Sequence, residues 1–123
     1  MKTSYDQIDA YVTKDGSLIR ELMHPGIHGN AHISLAEAII PPGSTTLLHR
    51  HRKSEEIYHI TAGAGIMILG AEQLAVAVGD TVAIAPGMSH QVRNTQSVPL
   101  KLLCYCSPAY THEDTELVAE FPT

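Results

Sequence analysis

The chain has 123 residues, of which 44% are hydrophobic, with a formal net charge of -5 and a pI near 5.8. This length and composition suit one globular domain that buries its own core. The acidic balance argues against a general nucleic-acid or membrane-surface binder, because such proteins need a basic face. Residues 1–16 lack the apolar stretch of a signal peptide, and no run approaches the roughly 20 apolar residues of a membrane span. We therefore expect a soluble cytoplasmic protein whose partners are small molecules or other proteins.

Short apolar runs separated by Gly- and Pro-containing turns recur along the chain. In order they are SLIRELM, AHISLAEAII, TTLLHRH, EEIYHIT, GIMIL, LAVAV, TVAIA, HQVRN and LKLLCYC. Many short strands at this spacing predict an all-β sandwich or barrel. The segment SLAEAII is predicted as a strand despite its alanines, because the run is short and the prolines after it end any helix.

Two further segments carry specific predictions. Gly63 and Gly65 flank Ala64, and this arrangement is typical of a tight hairpin. In residues 108–123, Thr111 followed by Asp114 resembles a helix start with acidic residues in the first turn. We expect either a short C-terminal helix or a tail lying on the strands.

His49 and His51 are the residues whose spacing points to metal chemistry. On a strand, positions i and i+2 lie on one face about 6.5 Å apart, whereas on a helix they diverge. A strand therefore lets both imidazoles reach one ion, and Glu56 follows after a turn-prone segment. Strand alternation places Glu56 on one face with Tyr58, and Glu55 on the other. Neutral imidazole and carboxylate are suitable ligands for Fe, Mn, Ni, Co, Cu or Zn.

The spacing around these ligands resembles the first motif of the cupin superfamily. Gly43 is followed by five residues, by His49 and His51 with one residue between them, by four residues and Glu56, and by six residues and Gly63. The same spacing selects Glu56 over its neighbour as the third ligand.

Residues 79–94 resemble the second motif of that superfamily. Gly79 begins the segment, Pro86 and Gly87 form a turn, and His90 and Asn94 follow at the spacing of the family. Ala85 stands where the family commonly has proline, and the proline is shifted by one position. The distance along the chain from the first glycine to the histidine is nevertheless kept.

The resemblance implies that residues 1–123 form one cupin domain, an all-β double-stranded β-helix or jelly-roll barrel, with motif 1 at 43–63 and motif 2 at 79–94. It also implies one divalent transition metal ion (Fe, Mn, Ni, Zn, Co or Cu) near one mouth of the barrel. The implied ligands are His49, His51, Glu56 and His90. Asn94 is expected to bond to backbone at a strand end and not to ligate the metal.

Tyr58, two cysteines and His59 carry predictions from strand parity. Tyr58 shares the face of Glu56 and is the candidate catalytic residue, with a core phenol whose hydroxyl is hydrogen-bonded as the alternative. Cys104 and Cys106 stand two apart, roughly 6.5 to 7 Å on a strand, which disfavours a relaxed disulfide. We expect free thiols that are either core residues or part of the cavity wall. His59 has the opposite parity and is predicted to lie on an outer face.

A small basic cluster, Arg50, Arg52 and Lys53, lies beside the predicted ligands. We expect it to form a solvated turn paired with Glu55, since exposed ion pairs are common and contribute little. The functional alternative is attraction of an anionic substrate. Three further histidines, in the segment HPGIHGNAH, are expected in a solvated loop.

The implied site leads to a functional expectation. Four protein ligands on an octahedral ion leave about two positions for water, substrate or dioxygen. We expect a metal-dependent enzyme acting on a small oxygenated organic molecule. The resemblance to the cupin superfamily, and not the residues themselves, implies dioxygenase-type oxidoreductase chemistry first. The alternatives are a noncatalytic module that binds a carbohydrate or an acidic metabolite, and a nonredox isomerase, lyase or decarboxylase. Apolar strands on both faces further predict a homodimer.

Overall fold

A computed structural model describes residues 1–119. The strands of this part of the chain, in order, are β1 (Tyr11–Val12), β2 (Leu18–Met23), β3 (Ser34–Ile40), β4 (His49–His51), β5 (Glu55–Ala62), β6 (Ala64–Leu69), β7 (Glu72–Ala77), β8 (Thr81–Ile84), β9 (His90–Asn94), β10 (Leu100–Ser107) and β11 (Thr115–Leu117). A short 3-10 helix (Tyr5–Gln7) and the one-turn helix α1 (Pro25–His28) complete the elements. Each apolar run of the sequence overlaps one of the strands β2 to β10. The all-β prediction is confirmed.

The strands form two antiparallel sheets. One sheet has six strands in the order β1-β2-β3-β10-β5-β8, and the other has five in the order β11-β4-β9-β6-β7. The pairs β1–β2, β2–β3 and β6–β7 are consecutive along the chain, but the other neighbours come from distant parts of it, as in jelly-roll and related barrels. Strand β4 therefore lies between β11 and β9, while β5 lies in the opposite sheet beside β10.

Alternation along the strands builds the space between the sheets. In β5, Glu56, Tyr58 and Ile60 are buried while Glu55 and Ile57 are exposed, as the period of two in a strand requires. The same alternation in β10 buries both cysteines. The apolar core is formed chiefly by Ile40, Ile60, Met67, Ile84, Val92, Leu100 and Leu102.

The prediction of a tight hairpin at Gly63 is wrong. Strands β5 and β6 do not pair with each other but belong to different sheets, so the glycine turns the chain from one sheet to the other. Its φ of 81° lies in the left-handed region, and a Cβ atom there would be 2.7 Å from the carbonyl oxygen of Pro99. A corner this close to a neighbouring backbone excludes any larger residue.

The prediction of a short C-terminal helix is also wrong for residues 108–119, the part of this segment that the structure describes. Thr111 does accept a bond from the backbone N–H of Asp114 at 3.1 Å, as a helix cap would, but the chain then extends into β11, which pairs with β4. The segment therefore contributes an edge strand to the five-stranded sheet, and residues 120–123 lie outside the described part. No helix among the described residues is long and apolar enough to cross a membrane.

Candidate metal centre

Three histidines and one glutamate converge between the two sheets. Strand β4 points His49 and His51 inward, the adjacent β9 begins with His90 directly opposite His49, and β5 brings Glu56 from the other sheet. One nitrogen or oxygen from each residue lies within 4.8 Å of the others. All four side chains are buried, with exposures between 0% and 4%. The predicted ligand set is therefore brought together as one cluster.

A tight contact sets the position of the second-motif histidine. The backbone N–H of Gly87 donates a 2.6 Å hydrogen bond to the carbonyl of His51. Gly87 has a φ of 81°, a conformation that glycine adopts without penalty. The turn before β9 is thus fixed directly to the strand that carries the first two histidines.

Backbone carbonyls orient two of the imidazoles. Nδ1 of His49 lies 2.8 Å from the carbonyl oxygen of Leu47, and Nδ1 of His90 lies 3.0 Å from that of Met88. A carbonyl can only accept, so Nδ1 carries the hydrogen in the neutral form of both rings. The lone pair is then on Nε2, which faces the cluster. This is the arrangement by which proteins prepare histidines for metal binding.

A hydroxyl performs the same task for His51. The Oγ1 of Thr115 donates its hydrogen to the carbonyl of Thr111 at 2.8 Å and lies 2.9 Å from Nδ1 of His51. With its hydrogen already used, the hydroxyl oxygen accepts from Nδ1. All three rings therefore present Nε2 to the centre.

The facing atoms require a cation between them. Nε2 of His51 and Nε2 of His90 lie 3.1 Å and 3.3 Å from Oε1 of Glu56. With the Nδ1 hydrogens committed elsewhere, these atoms are all acceptors unless a proton or metal ion joins them. Nε2 of His90, fully buried, has no hydrogen-bond partner among the described residues. An orphaned buried nitrogen facing a carboxylate fits a divalent transition metal with N and O ligands.

The protonation states also suit a metal. Burial, followed by repulsion from His90, lowers the pKa of His49 to about 4, so its ring is neutral at pH 7. Burial on its own would raise the pKa of Glu56, but the imidazoles of His51 and His90 beside it outweigh this effect and hold that pKa well below its usual range. Neutral imidazole and ionised carboxylate are the forms that ligate.

The second oxygen of Glu56 is held by a thiol. Sγ of Cys106 donates to Oε2 at 3.1 Å, across the paired strands β10 and β5. Burial, with the charge of Glu56 next, raises the pKa of Cys106 and likewise that of Cys104. Both remain neutral thiols, both are free as predicted, and both line the cavity beside the cluster.

A small cavity adjoins the cluster. The volume that the centre of a water molecule can occupy in it is about 40 Å³. This is enough for a few waters or for the reactive end of a small ligand. Tyr58 lies in its wall on the face of Glu56, as parity predicted, with its ring 5.7 Å from that of His90 in an edge contact. Burial, with the Glu56 charge next, raises the pKa of this phenol well above its usual value.

Two acidic residues of the cavity wall were missed by sequence reasoning. Asp15 places Oδ2 3.6 Å from Nε2 of His49, while its Oδ1 accepts from the N–H and hydroxyl of Ser17. Glu21, on β2, accepts a 2.7 Å hydrogen bond from Tyr11. Asp15 precedes a glycine, which is typical of a turn, and nothing in the sequence distinguished it as a site residue. For Glu21, strand alternation in SLIRELM was the one signal that could have placed its side chain on the inner face.

Asn94 and His59 lie where they were predicted. Asn94 is buried, donates to the carbonyls of Ile40 and Val98, and accepts from the backbone of Gln96. His59 is partly exposed and bonds to Thr81 on the outside of the sheet. Both are structural positions outside the cluster.

The pairing predicted for the basic cluster is wrong. Arg50 and Arg52 form ion pairs with Glu116 on β11, at 2.9 Å and 3.1 Å, and not with Glu55. The reason is the strand β11, which the sequence did not predict. The segment with three further histidines includes α1, whose N-terminus is capped by His24.

Comparison with known proteins supports the identification of the fold. The model of the cupin domain family matches residues 36–106. An uncharacterised protein of Methanocaldococcus jannaschii is 54% identical over 96% of this chain and 94% of its own. The oxalate-binding protein of Thermotoga maritima is 32% identical over 67% of each chain.

Solved structures agree with this identification. A nucleoside dehydratase of Streptomyces superposes with a TM-score of 0.79, at 14% identity, over 96% of this chain and 90% of its own. A predicted oxalate decarboxylase of Thermotoga maritima gives a TM-score of 0.75, at 24% identity, over 88% and 99%. With two facing antiparallel sheets, both sequence motifs and a buried three-histidine and one-glutamate cluster, this chain belongs to the cupin family.

Proposed function

We propose that His49, His51, Glu56 and His90 bind one divalent transition metal ion, and that the chain is an enzyme acting on a small oxygenated organic molecule. The convergence of three Nε2 atoms and one carboxylate oxygen, with every Nδ1 already bonded, supports the metal site. Four ligands on an octahedral ion leave about two positions free, which favours a reactive site over a closed structural one. When bound, the metal would polarise a substrate oxygen and lower the pKa of bound water.

The position of Asp15 is the reason to favour one class of reaction over another. Its Oδ2 is 3.6 Å from Nε2 of His49 in the wall of the same cavity, where it can take or return a proton at a substrate atom beside the metal site. An acid or base held at such a position contributes about 10²- to 10⁴-fold to the rate. We therefore favour nonredox acid–base chemistry, such as elimination, isomerisation or decarboxylation. The Streptomyces dehydratase with this fold supports the same class.

Dioxygenase-type oxidation is the second candidate. The free positions and the ligand set are compatible with a redox metal such as Fe or Mn. The expectation of oxidation came from the family resemblance, whereas Asp15 supplies the acid or base that nonredox chemistry needs. Noncatalytic ligand binding is the third candidate, and the oxalate-binding relative supports it.

One screen tests these functions together. The protein is loaded separately with Fe(II), Mn(II) and Zn(II) and mixed with hydroxy acids, diketones, catechols and sugar acids. Product formation is followed by mass spectrometry and oxygen uptake by electrode. The proposal predicts turnover without oxygen uptake, abolished in the double variant His49→Ala/His51→Ala. Turnover that consumes oxygen would favour the dioxygenase, and tight binding with no turnover of any compound would overturn the enzyme proposal.

A further inference from the structure

The wall of the metal cavity is acidic and has no counter-cation. Three carboxylate side chains line the cavity, those of Glu56, Asp15 and Glu21. No lysine or arginine lines it among residues 1–119. The arginines near the cluster, Arg50 and Arg52, point to the exterior and pair with Glu116. A divalent ion would offset two of the three negative groups, so that a ligand bound to it through one carboxylate would find no cation in the wall to balance a second one.

Glu21 is the unusual member of this wall. Its side chain is buried, with 6% exposure, and only one of its two oxygens is satisfied. Oε1 accepts from the Tyr11 hydroxyl, while Oε2 has no hydrogen-bond partner in the described part of the chain. Leaving a buried acidic oxygen unpaired is costly. Burial, and then the bond to Glu21, raises the pKa of Tyr11, so the phenol remains a donor and adds no charge.

Glu21 lines the metal cavity at a distance from the metal cluster. A cross-sheet row joins Tyr58 on β5, Cys104 on β10, Ala36 on β3 and Glu21 on β2. Glu21 therefore lies at the opposite end of this row from β5, the strand that carries Glu56. Neighbouring strands in the row are about 4.8 Å apart. Glu21, with Tyr11 and Tyr110, lines both the metal cavity and a shallower depression on the surface.

We propose that the ligand of this cavity carries a hydrogen-bond donor, a hydroxyl or an ammonium group, at the end away from the metal, and that Glu21 accepts from it. The inference rests on the proposed function, because the other end of the ligand binds the metal. It excludes small dianions such as oxalate or malonate as the preferred ligands. A second carboxylate would face Glu21 with no cation to balance it, and like charges repel more strongly in a buried site than in water.

Matched ligands of one length test this preference. Malonate, 3-hydroxypropanoate and β-alanine share one carboxylate and differ at the other end, which is an anion, a hydroxyl or an ammonium group. Dissociation constants are measured by calorimetry on the metal-loaded protein. The two carboxylates of malonate can chelate a metal by themselves, so the informative quantity is the change in preference caused by Glu21→Gln. This variant keeps the size of the side chain and its acceptor for Tyr11 while removing the charge.

We expect Glu21→Gln to shift the ratio of affinities toward malonate and away from β-alanine by at least tenfold. The matched control is Glu37→Gln, because Glu37 also accepts from a tyrosine hydroxyl, that of Tyr5, but belongs to the outer face of the same sheet. It should leave the ratio unchanged.

The outcomes separate this inference from the proposed function. Metal content of each variant is measured first, and absence of metal from the wild-type chain would overturn the proposed function itself. With metal present, a ratio that Glu21→Gln changes by less than twofold would overturn the inference alone. Failure of all three ligands to bind the metal-loaded chain would also overturn it.

Discussion

Thr115 holds His51 in one tautomer, because its hydroxyl hydrogen goes to the carbonyl of Thr111 and its oxygen accepts from Nδ1 of the imidazole. The register between β11 and β4 places these two residues directly opposite each other. The C-terminal strand therefore orients a residue of the metal cluster, although it contributes no ligand itself.

Replacing this hydroxyl should weaken metal binding. Thr115→Val keeps the shape of the side chain and removes the acceptor, and loss of such a partner costs about 10- to 100-fold in metal affinity. Thr115→Ser, which keeps the hydroxyl, is the control. Competition with a chromogenic chelator measures both affinities. Equal affinities for the two variants would show that the hydroxyl does not orient the ring.

The thiol of Cys106 should act in a similar way on Glu56. Cys106→Ala removes the donor to Oε2, and we expect a loss of about 1 kcal/mol in the free energy of unfolding together with weaker metal binding. Cys104→Ala removes a buried thiol that has no such bond to Glu56. Urea unfolding and chelator competition compare the two variants. If both variants weakened metal binding equally, the effect would come from packing and not from the hydrogen bond to Glu56.

The metal-free protein should become more stable as the pH rises from about 4 to 6.5. Folding lowers the pKa of His49 to about 4 from 6.5, so within this window the unfolded chain binds a proton that the folded chain does not. Stability increases with pH wherever the unfolded state binds more protons. The depressed pKa of Glu56 has the same sign but acts below pH 4.5, where its unfolded carboxyl takes up a proton.

Urea unfolding of chelator-treated protein at several pH values measures this dependence. The slope between pH 5 and 6.5 should be smaller in His49→Gln, which has no titrating ring. An unchanged slope in that variant would assign the pH dependence to other groups.

Asp15→Asn should separate chemistry from metal binding. The amide keeps an oxygen for the bonds from Ser17 but is a poor proton acceptor. We expect normal metal content and a fall in kcat of about 100-fold on any substrate that the screen identifies. A variant with full activity would remove Asp15 from the proposed chemistry.

The outer face of the six-stranded sheet is where we expect a homodimer to form. Ile57 and Tyr105 are directly paired across β5 and β10 and are 36% and 38% exposed. Burying such a row against a second copy removes apolar surface from water. Tyr105→Glu should give monomers in analytical ultracentrifugation, while Val78→Glu, which changes an exposed apolar residue elsewhere, should not. A wild-type chain that sediments as a monomer would contradict this expectation.

The sequence predicted those parts of the site that depend on local periodicity. Alternation placed Glu56, and not Glu55, on one face with Tyr58, and it predicted that both cysteines share one face. His90 lies 41 positions from His49 along the chain, and no local pattern joins them. Only the order of the two motifs did so, through the resemblance to the family.

The remaining parts depend on contacts that span long distances in the sequence. Asp114 looked like a helix residue because it follows a threonine at cap spacing. Instead its carboxylate accepts from the backbone N–H groups of Lys53 and Ser54 and holds the turn between β4 and β5. Gly63 looked like a hairpin residue because a corner between sheets requires the same φ. In both cases local chemistry was correctly recognised, but its partner lay elsewhere in the fold.

The most direct test of the account is the metal content of the purified chain. Inductively coupled plasma mass spectrometry should find about one transition metal ion per chain in the wild type and in His59→Ala, whose imidazole lies outside the cluster. His90→Ala, which removes the buried and unpartnered Nε2, should retain less than a tenth of that amount. Equal metal content in wild type, His59→Ala and His90→Ala would contradict the metal centre.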